Sequence, residues 1–310
     1  MSDLPRRPAT SCAPVFAPLR IAPGLRRLLA QALREDVGPG DATSIATVPP
    51  PLAGSGRIFA KQAGVLCGVQ VAREVFRLVD RRIRLTAVAQ DGATLRPGDD
   101  IARVTGPLRS ILTGERLALN FLQRLSGVAT LTRSYVEALR AAGSRIEVVD
   151  TRKTTPLWRG LERHAVRVGG GHNHRFALYD MYLVKNNHAD AAGGVGEALR
   201  RVAQHNARRR KCLPVAVEAR NLDEVRAILA EGADLILLDN MTPEAIAKAA
   251  RLIGRRAKTE ITGGVTLKRL ERLARLPVDR VSVGALTHSA PALDIALHVK
   301  KRTERAGGTS

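Results

Sequence analysis

Between Asp150 and Lys185 the chain sets four cations at the edges of apolar runs. Arg152 and Lys153 lie in Asp-Thr-Arg-Lys-Thr-Thr (150–155), Arg175 ends a Gly-Gly-Gly-His-Asn-His-Arg turn (169–175) beside His174, and Lys185 closes Tyr-Leu-Val-Lys (182–185). Like charges held together are unfavourable unless something negative joins them. Guanidinium forks match carboxylates and phosphates, and an ammonium group adds a compact point charge. The expected ligand therefore carries several carboxylates or phosphates.

The elements that must hold these residues read as repeated βα units. Ile146–Asp150 is short and β-branched, Pro156 opens a helical stretch through Leu161 and Val166, and Gly169–Gly171 end it. Further short apolar runs at Met181–Lys185, Val215–Glu218, Leu235–Asp239, Thr259–Thr262 and Arg280–Val283 alternate with helical patterns. In a β/α barrel the carboxyl ends of the strands face the site. Arg152 and Lys153, Lys185, Glu218, Asp239, Thr262 with Gly263 and Gly264, and Gly284 stand at those ends. Six such strands are fewer than the eight of a closed barrel, so an incomplete, open β/α barrel is expected.

The amino-terminal half reads as an α/β sandwich domain. Leu25–Leu33 has helical spacing, Gly54–Lys61 and Ile83–Val88 look like strands, and Gly92–Val104 carries an Arg-Pro-Gly-Asp turn that suggests a hairpin. A helix from Glu115 to Leu139, with an apolar stripe of Leu119, Leu122, Leu125 and Val128, would place Arg116 in its first turn. The fold class is thus α/β, in four parts. Residues 1–24 form a basic, proline-rich extension expected to be disordered, 25–130 the sandwich, 131–290 the open barrel, and 291–310 a C-terminal helix with a flexible tail.

Several motifs in order identify a family resemblance. GPGDATS (38–44), GERLALNFLQRLSGVAT (114–130), DTRKTTP (150–156), GGGHNHR (169–175), LVKNNH (183–188), LLDN (237–240), TGG (262–264) and GALTHS (284–289) resemble quinolinate phosphoribosyltransferase. The resemblance runs from about Leu28 to Val299. It implies that quinolinate and phosphoribosyl pyrophosphate give nicotinate mononucleotide, pyrophosphate and carbon dioxide, with Mg2+ and no organic cofactor. It further implies a quinolinate clamp of Arg116, Arg152, Lys153, His174 and Arg175, with Thr151 also a substrate-binding residue. Lys153 and Lys185 would contact pyrophosphate and ribose, and Glu218 and Asp239 would hold magnesium on the pyrophosphate. Thr262, Gly263, Gly264, Gly284 and Ala285 would bind the 5′-phosphate through backbone N–H groups at helix N-termini. By the same resemblance the protein is a homodimer or higher oligomer in which Arg116 completes the neighbouring subunit's site.

The chain departs from the family pattern in places. Asn186 stands where an acid is usual, Ala216 and Arg220 interrupt an acid-rich strand around Glu218, and Leu157 replaces a common glycine. One alternative is the paralogue associated with molybdate transport, but that group lacks the GER and LNFLQRLSG pattern. Another is a non-catalytic, basic nucleic-acid-associating protein, since the net charge is +21. With only 3% aromatic residues the stacking platform of a single-strand binder is missing. The basic residues recur on helix faces expected to be solvated, as in Arg208–Lys211 and Lys248–Arg275. Cys12, Cys67 and Cys212 are widely spaced and suggest reduced thiols in the cytoplasm. His172 and His174 lack ligand companions for zinc, His164 and His188 read as structural, and no nucleophile elbow is present. No apolar run is long enough to span a membrane.

Overall fold

The computed structural model describes residues 17–301. Residues 1–16 of the extension expected over residues 1–24, and the flexible tail expected beyond residue 301, lie outside those residues, as does Cys12, while Pro23 and Gly24 of that extension belong to a helix. Pro23, whose ring presets a helical φ, opens α1 (Pro23–Val37), and the Asp41 side chain caps α2 (Ala42–Thr47) by accepting from Ser44 N–H at 3.0 Å. There follow β1 (Ala53–Ala60), β2 (Gly64–Val65), α3 (Val69–Val79), β3 (Arg84–Ala87), β4 (Thr94–Leu95), β5 (Asp100–Pro107) and α4 (Leu108–Ala141). The remainder is β6 (Glu147–Val149), α5 (Arg159–Val168), β7 (Tyr182–Val184), α6 (Asn186–Ala192), α7 (Val195–Ala207), β8 (Val215–Ala219), α8 (Leu222–Glu231), β9 (Leu235–Asp239), α9 (Pro243–Ile253), β10 (Lys258–Thr262), α10 (Leu267–Leu273), β11 (Arg280–Ser282), α11 (Ala285–His288) and β12 (Ile295–Lys301). The chain divides into two compact units. Gly160–Gly169 and the residues from Ala290 onward join the residues up to Leu131 in the first; Thr132–Arg159 and Gly170–Ser289 form the second.

In the first unit an antiparallel sheet of order β12-β1-β5-β3 carries α3, whose Val71, Ala72, Val75 and Phe76 are fully or almost fully buried. Glu74, buried on α3, accepts from Arg26 of α1 and Arg77 at 2.8 Å each, which ties the two helices together. Gly127 of α4 has no substitute: a Cβ there would lie 1.9 Å from the Pro291 carbonyl oxygen. Arg124 completes that packing by donating to the Ala290 carbonyl and pairing with the fully buried Glu162 of α5 at 2.9 Å. Cys67, Asp91 and His164 bring ligand-type atoms within 4.8 Å of one another. Asp91 is engaged by the Gly68 and Val69 N–H groups at the start of α3, with His164 Nε2 3.4 Å from its other oxygen. Burial and the Asp91 charge push the Cys67 thiol well above its usual value. His164 is structural, as expected.

Three sequence expectations fail in this unit. The C-terminal helix is a strand: Ile295, Leu297 and Val299 alternate with the two-residue period of β structure, and the whole of β12 pairs with β1 from Ala60↔Ile295 to Gly54↔Lys301. The Arg-Pro-Gly-Asp turn forms, with Gly98 at φ 90° and Asp99 N–H on Arg96 O at 3.1 Å, but it joins no hairpin. Its flanking strands go to different sheets, β4 pairing with β2 and β5 with β1 and β3. Helix α4 starts at Leu108, so Arg116 lies beyond its first turn.

The second unit is a six-stranded, all-parallel sheet of order β6-β11-β10-β9-β8-β7. The first two strands in sequence are its two edges, which is a barrel left open between them, as expected from the sequence. Central β9 (Leu-Ile-Leu-Leu-Asp) is buried along its apolar length, the pattern of a strand covered on both faces. Helix α5 begins at Arg159, three residues later than Pro156 suggested. Leu157 takes φ +65°, which no helix accommodates.

Candidate active site

The carboxyl ends of the parallel strands deliver the sequence-marked residues. After β6, Asp150 is fully buried and accepts from Asn173 Nδ2 at 2.5 Å and His174 N–H at 2.8 Å. That bond pair fixes the glycine-rich turn against β6, where Val149 and His172 form a parallel bridge. Arg175 is 8% exposed and donates to the Met181 carbonyl at 3.1 Å. Its pKa is depressed, first by burial and then by the neighbouring Arg152 guanidinium, against the opposing charges of Asp180 and Glu218. Arg152 Nε is buried without a hydrogen-bond partner among the described residues. The two guanidinium groups thus crowd each other while one buried donor goes unused.

Thr151 orders the backbone here, its hydroxyl accepting from Lys153 N–H at 3.1 Å. Lys153 is exposed, and its carbonyl accepts from the buried Thr287 hydroxyl at 2.7 Å. Its side chain runs over Gly284, where a Cβ would come within 2.9 Å of Lys153 Cδ. Ala285 opens the one-turn helix α11 directly after Gly284.

Carboxylates of adjacent strands form the next group. Glu218, at β8, accepts from Lys185 Nζ and from Asn186 N–H, both at 3.1 Å. Asp239, at the end of β9, accepts from Asn186 Nδ2 and Asn240 Nδ2, both at 3.0 Å. Asn186 therefore bridges the two acids with one backbone and one side-chain donor. His188 caps the same turn, Nδ1 accepting from Lys185 N–H at 3.0 Å, which makes it structural as expected. Glu218 and Asp239 are hard oxygen donors of the kind that bind magnesium through one or two carboxylates plus substrate oxygens, and their placement side by side fits that ion.

After β10, Gly263 and Gly264 both take positive φ, +90° and +56°. A Cβ on Gly263 would stand 2.2 Å from Asn240 Oδ1, so glycine is required by backbone and by space alike. Arg269 of α10 donates to the Gly263 carbonyl and to Met241 O, placing a further cation beside this turn. Arg116 is exposed on α4, in the first unit.

Comparison with known proteins gives these motifs a family. Residues 41–126 match the N-terminal domain of quinolinate phosphoribosyl transferase, and residues 128–298 match its C-terminal domain. The chain belongs to the quinolinate phosphoribosyltransferase family. It is 39% identical over 280 residues to the probable nicotinate-nucleotide pyrophosphorylase [carboxylating] of Bacillus subtilis, covering 90% of this chain and 95% of that protein. It is 36% identical to the chloroplastic nicotinate-nucleotide pyrophosphorylase [carboxylating] of Oryza sativa, covering 98% and 88%. Among solved structures, NadC from Streptococcus pyogenes superposes with a TM-score of 0.87 at 41% identity, covering 93% of this chain and all of that one.

Within this member of the quinolinate phosphoribosyltransferase family, sequence reading missed Asp150, Asn186, Asn240 and Arg269 as organisers of the site, and the buried Glu260 beside His174. Asp150 and Asn186 were visible as polar residues at strand ends. Glu260, the middle of Lys-Thr-Glu-Ile-Thr, gave no signal, because one acid in an alternating strand normally faces water.

Proposed function

We propose that the protein condenses quinolinate with phosphoribosyl pyrophosphate to give nicotinate mononucleotide, pyrophosphate and carbon dioxide. The observation that carries this reading is the buried, unused Arg152 Nε beside a desolvated Arg175, a pair that an aromatic dicarboxylate would neutralise. Arg152, Arg175 and Lys153, with His174 packed beneath them, form the clamp. Lys185 and Lys153 face the pyrophosphate and ribose. Backbone N–H groups of Gly263, Gly264, Gly284 and Ala285, with Thr262, receive the 5′-phosphate. Helices α10 and α11 have only seven and four residues, so individual N–H donors and Arg269 matter more there than any helix dipole. Magnesium, held by Glu218 and Asp239 through the pyrophosphate, would offset the charge that builds on the leaving group.

The chemistry needs orientation and charge rather than a covalent enzyme intermediate. The ring nitrogen forms its bond to the anomeric carbon as the bond to pyrophosphate breaks. The resulting pyridinium then accepts the electron pair released when the adjacent carboxylate leaves as carbon dioxide, and a solvent proton takes its place on the ring. Arg116 of a neighbouring subunit completes the clamp in a homodimer. Leu178 and Tyr179, each 69% exposed, together with Phe176, offer apolar surface that a second copy would cover. The cytoplasm is the proposed location, in keeping with the free thiols of Cys67 and Cys212; no helix among the described residues is long and apolar enough to cross a membrane. Incubation with both substrates and magnesium should yield the nucleotide, pyrophosphate and carbon dioxide in equal amounts by mass and gas analysis. Pyrophosphate release without carbon dioxide would refute the reading.

A further inference from the structure

Strand β10 buries a carboxyl group that the proposed reaction does not use. Glu260 is fully buried, and neither of its oxygens has a hydrogen-bond partner among the described residues. Its Oε2 stands 3.6 Å from His174 Nε2, and the His174 side chain is 8% exposed. The other ring nitrogen, Nδ1, lies 2.7 Å from Arg175 N. A backbone N–H can only donate, so Nδ1 is an acceptor and carries no proton. In a neutral imidazole the proton then sits on Nε2, directed at Glu260. An imidazolium would set two donors against each other at Nδ1.

We infer that Glu260 is a positioning residue: through His174 it fixes the backbone of Arg175 and hence the guanidinium that faces the dicarboxylate. The inference rests on the proposed function for its substrate. The chain of contacts is continuous. Glu260 Oε2 faces the imidazole Nε2 as an ion-pair partner at 3.6 Å, the imidazole Nδ1 accepts from Arg175 N–H at 2.7 Å, and Asp150 holds the same turn through His174 N–H at 2.8 Å.

The relay is also sensitive to pH. Burial raises Glu260 to about 7; Ser282 and Arg280 oppose the rise, and Asp150 adds to it. Around it stand His174 on the turn, Asp150 at the end of β6, Arg280 on β11, itself paired with Glu147 at 3.1 Å, and apolar Leu237 in register on β9. Above neutral pH the Glu260–His174 pair loses a proton and places one negative charge beneath the clamp. Binding of a dianion weakens accordingly.

Two substitutions and one spectrum test this. Glu260→Leu removes the acceptor and should raise the quinolinate KM at least tenfold, with a smaller change in kcat. Glu260→Gln restores an acceptor that cannot ionise. It should recover most of that loss and abolish the rise in KM expected of the unaltered enzyme across pH 7. Equal losses in both variants, or a pH profile unchanged by Glu260→Gln, would overturn the inference. Nitrogen-15 spectra of the unaltered protein, with the His174 signal assigned by its loss in His174→Asn, should show the Nε2-protonated tautomer. The opposite tautomer overturns the relay, and this readout needs no substrate. A correct tautomer in a protein inert toward quinolinate would instead count against the proposed function.

Discussion

Arg152 shows how one side chain reports a ligand. Its Nε is buried without a hydrogen-bond partner among the described residues, and its guanidinium adds to burial in depressing that of Arg175. Arg152→Met keeps the bulk but removes the fork. Catalytic efficiency should fall by about 30-fold to several thousand-fold, as expected for truncating one partner of a buried charge pair. Thermal stability should hold or rise. Native activity in a steady-state assay would show that the arginine serves another end. Glu260 makes a second prediction at this scale. Its fold-bound proton is held more tightly than in the unfolded chain, so the stability it confers is complete below pH 4.5 and is lost as the pH climbs through about 7. Relative to Glu260→Gln, the unaltered protein should lose up to roughly 3 kcal/mol across that window. Urea melts of both proteins at pH 5 and pH 8 measure it, and a constant difference would contradict the account.

At the level of elements, the six strands of the parallel sheet were legible because each is a short apolar run ending in a polar or glycine residue that must reach the site. Their boundaries shift by at most one residue in the structure. What escaped was decided by tertiary contact. Residues 295–301 are basic enough to suggest a solvated helix, yet the open edge of β1 recruits Ile295, Leu297 and Val299 as a strand. Nothing in the sequence marks Gly127 apart from its place in the GERLALNFLQRLSGVAT motif, yet its missing Cβ lets the Pro291 backbone pack against α4. The leucine at 157, where relatives were expected to have glycine, keeps the glycine conformation at φ +65° with its side chain 80% exposed. A non-glycine residue in that region costs roughly 1–2 kcal/mol, and glycine adds about 0.5–1 kcal/mol of chain entropy to lose. Leu157→Gly should therefore stabilise by about 0.5–1 kcal/mol, a rise in Tm of about 1–3 °C. A fall in Tm by calorimetry would mean that the leucine is held by contacts its exposure does not show.

For the whole molecule, the charge of +21 includes exposed helix positions such as Lys248, Arg251 and Arg272, while Arg208–Arg210 and Arg275, expected on helix faces, are exposed in the turns that follow α7 and α10. That is the solvated basic surface expected from the sequence. Assembly is tested by complementation. Arg116→Ala and Lys153→Ala homodimers should each be nearly inactive, the first lacking a donor for its neighbour's site and the second one for its own. Random exchange makes half of the dimers mixed, each with one intact site, and restores about a quarter of wild-type sites. No recovery, once exchange is verified by mass, would place Arg116 in its own subunit's service. The central claim, that these cations read both carboxylates of one aromatic ring, is tested most directly by substrate discrimination. With phosphoribosyl pyrophosphate and magnesium supplied, quinolinate should be turned over with release of carbon dioxide. Nicotinate, lacking the second carboxylate, should be disfavoured by about 2–5 kcal/mol, or about 30-fold to several thousand-fold in kcat/KM. Comparable turnover of nicotinate would contradict the account.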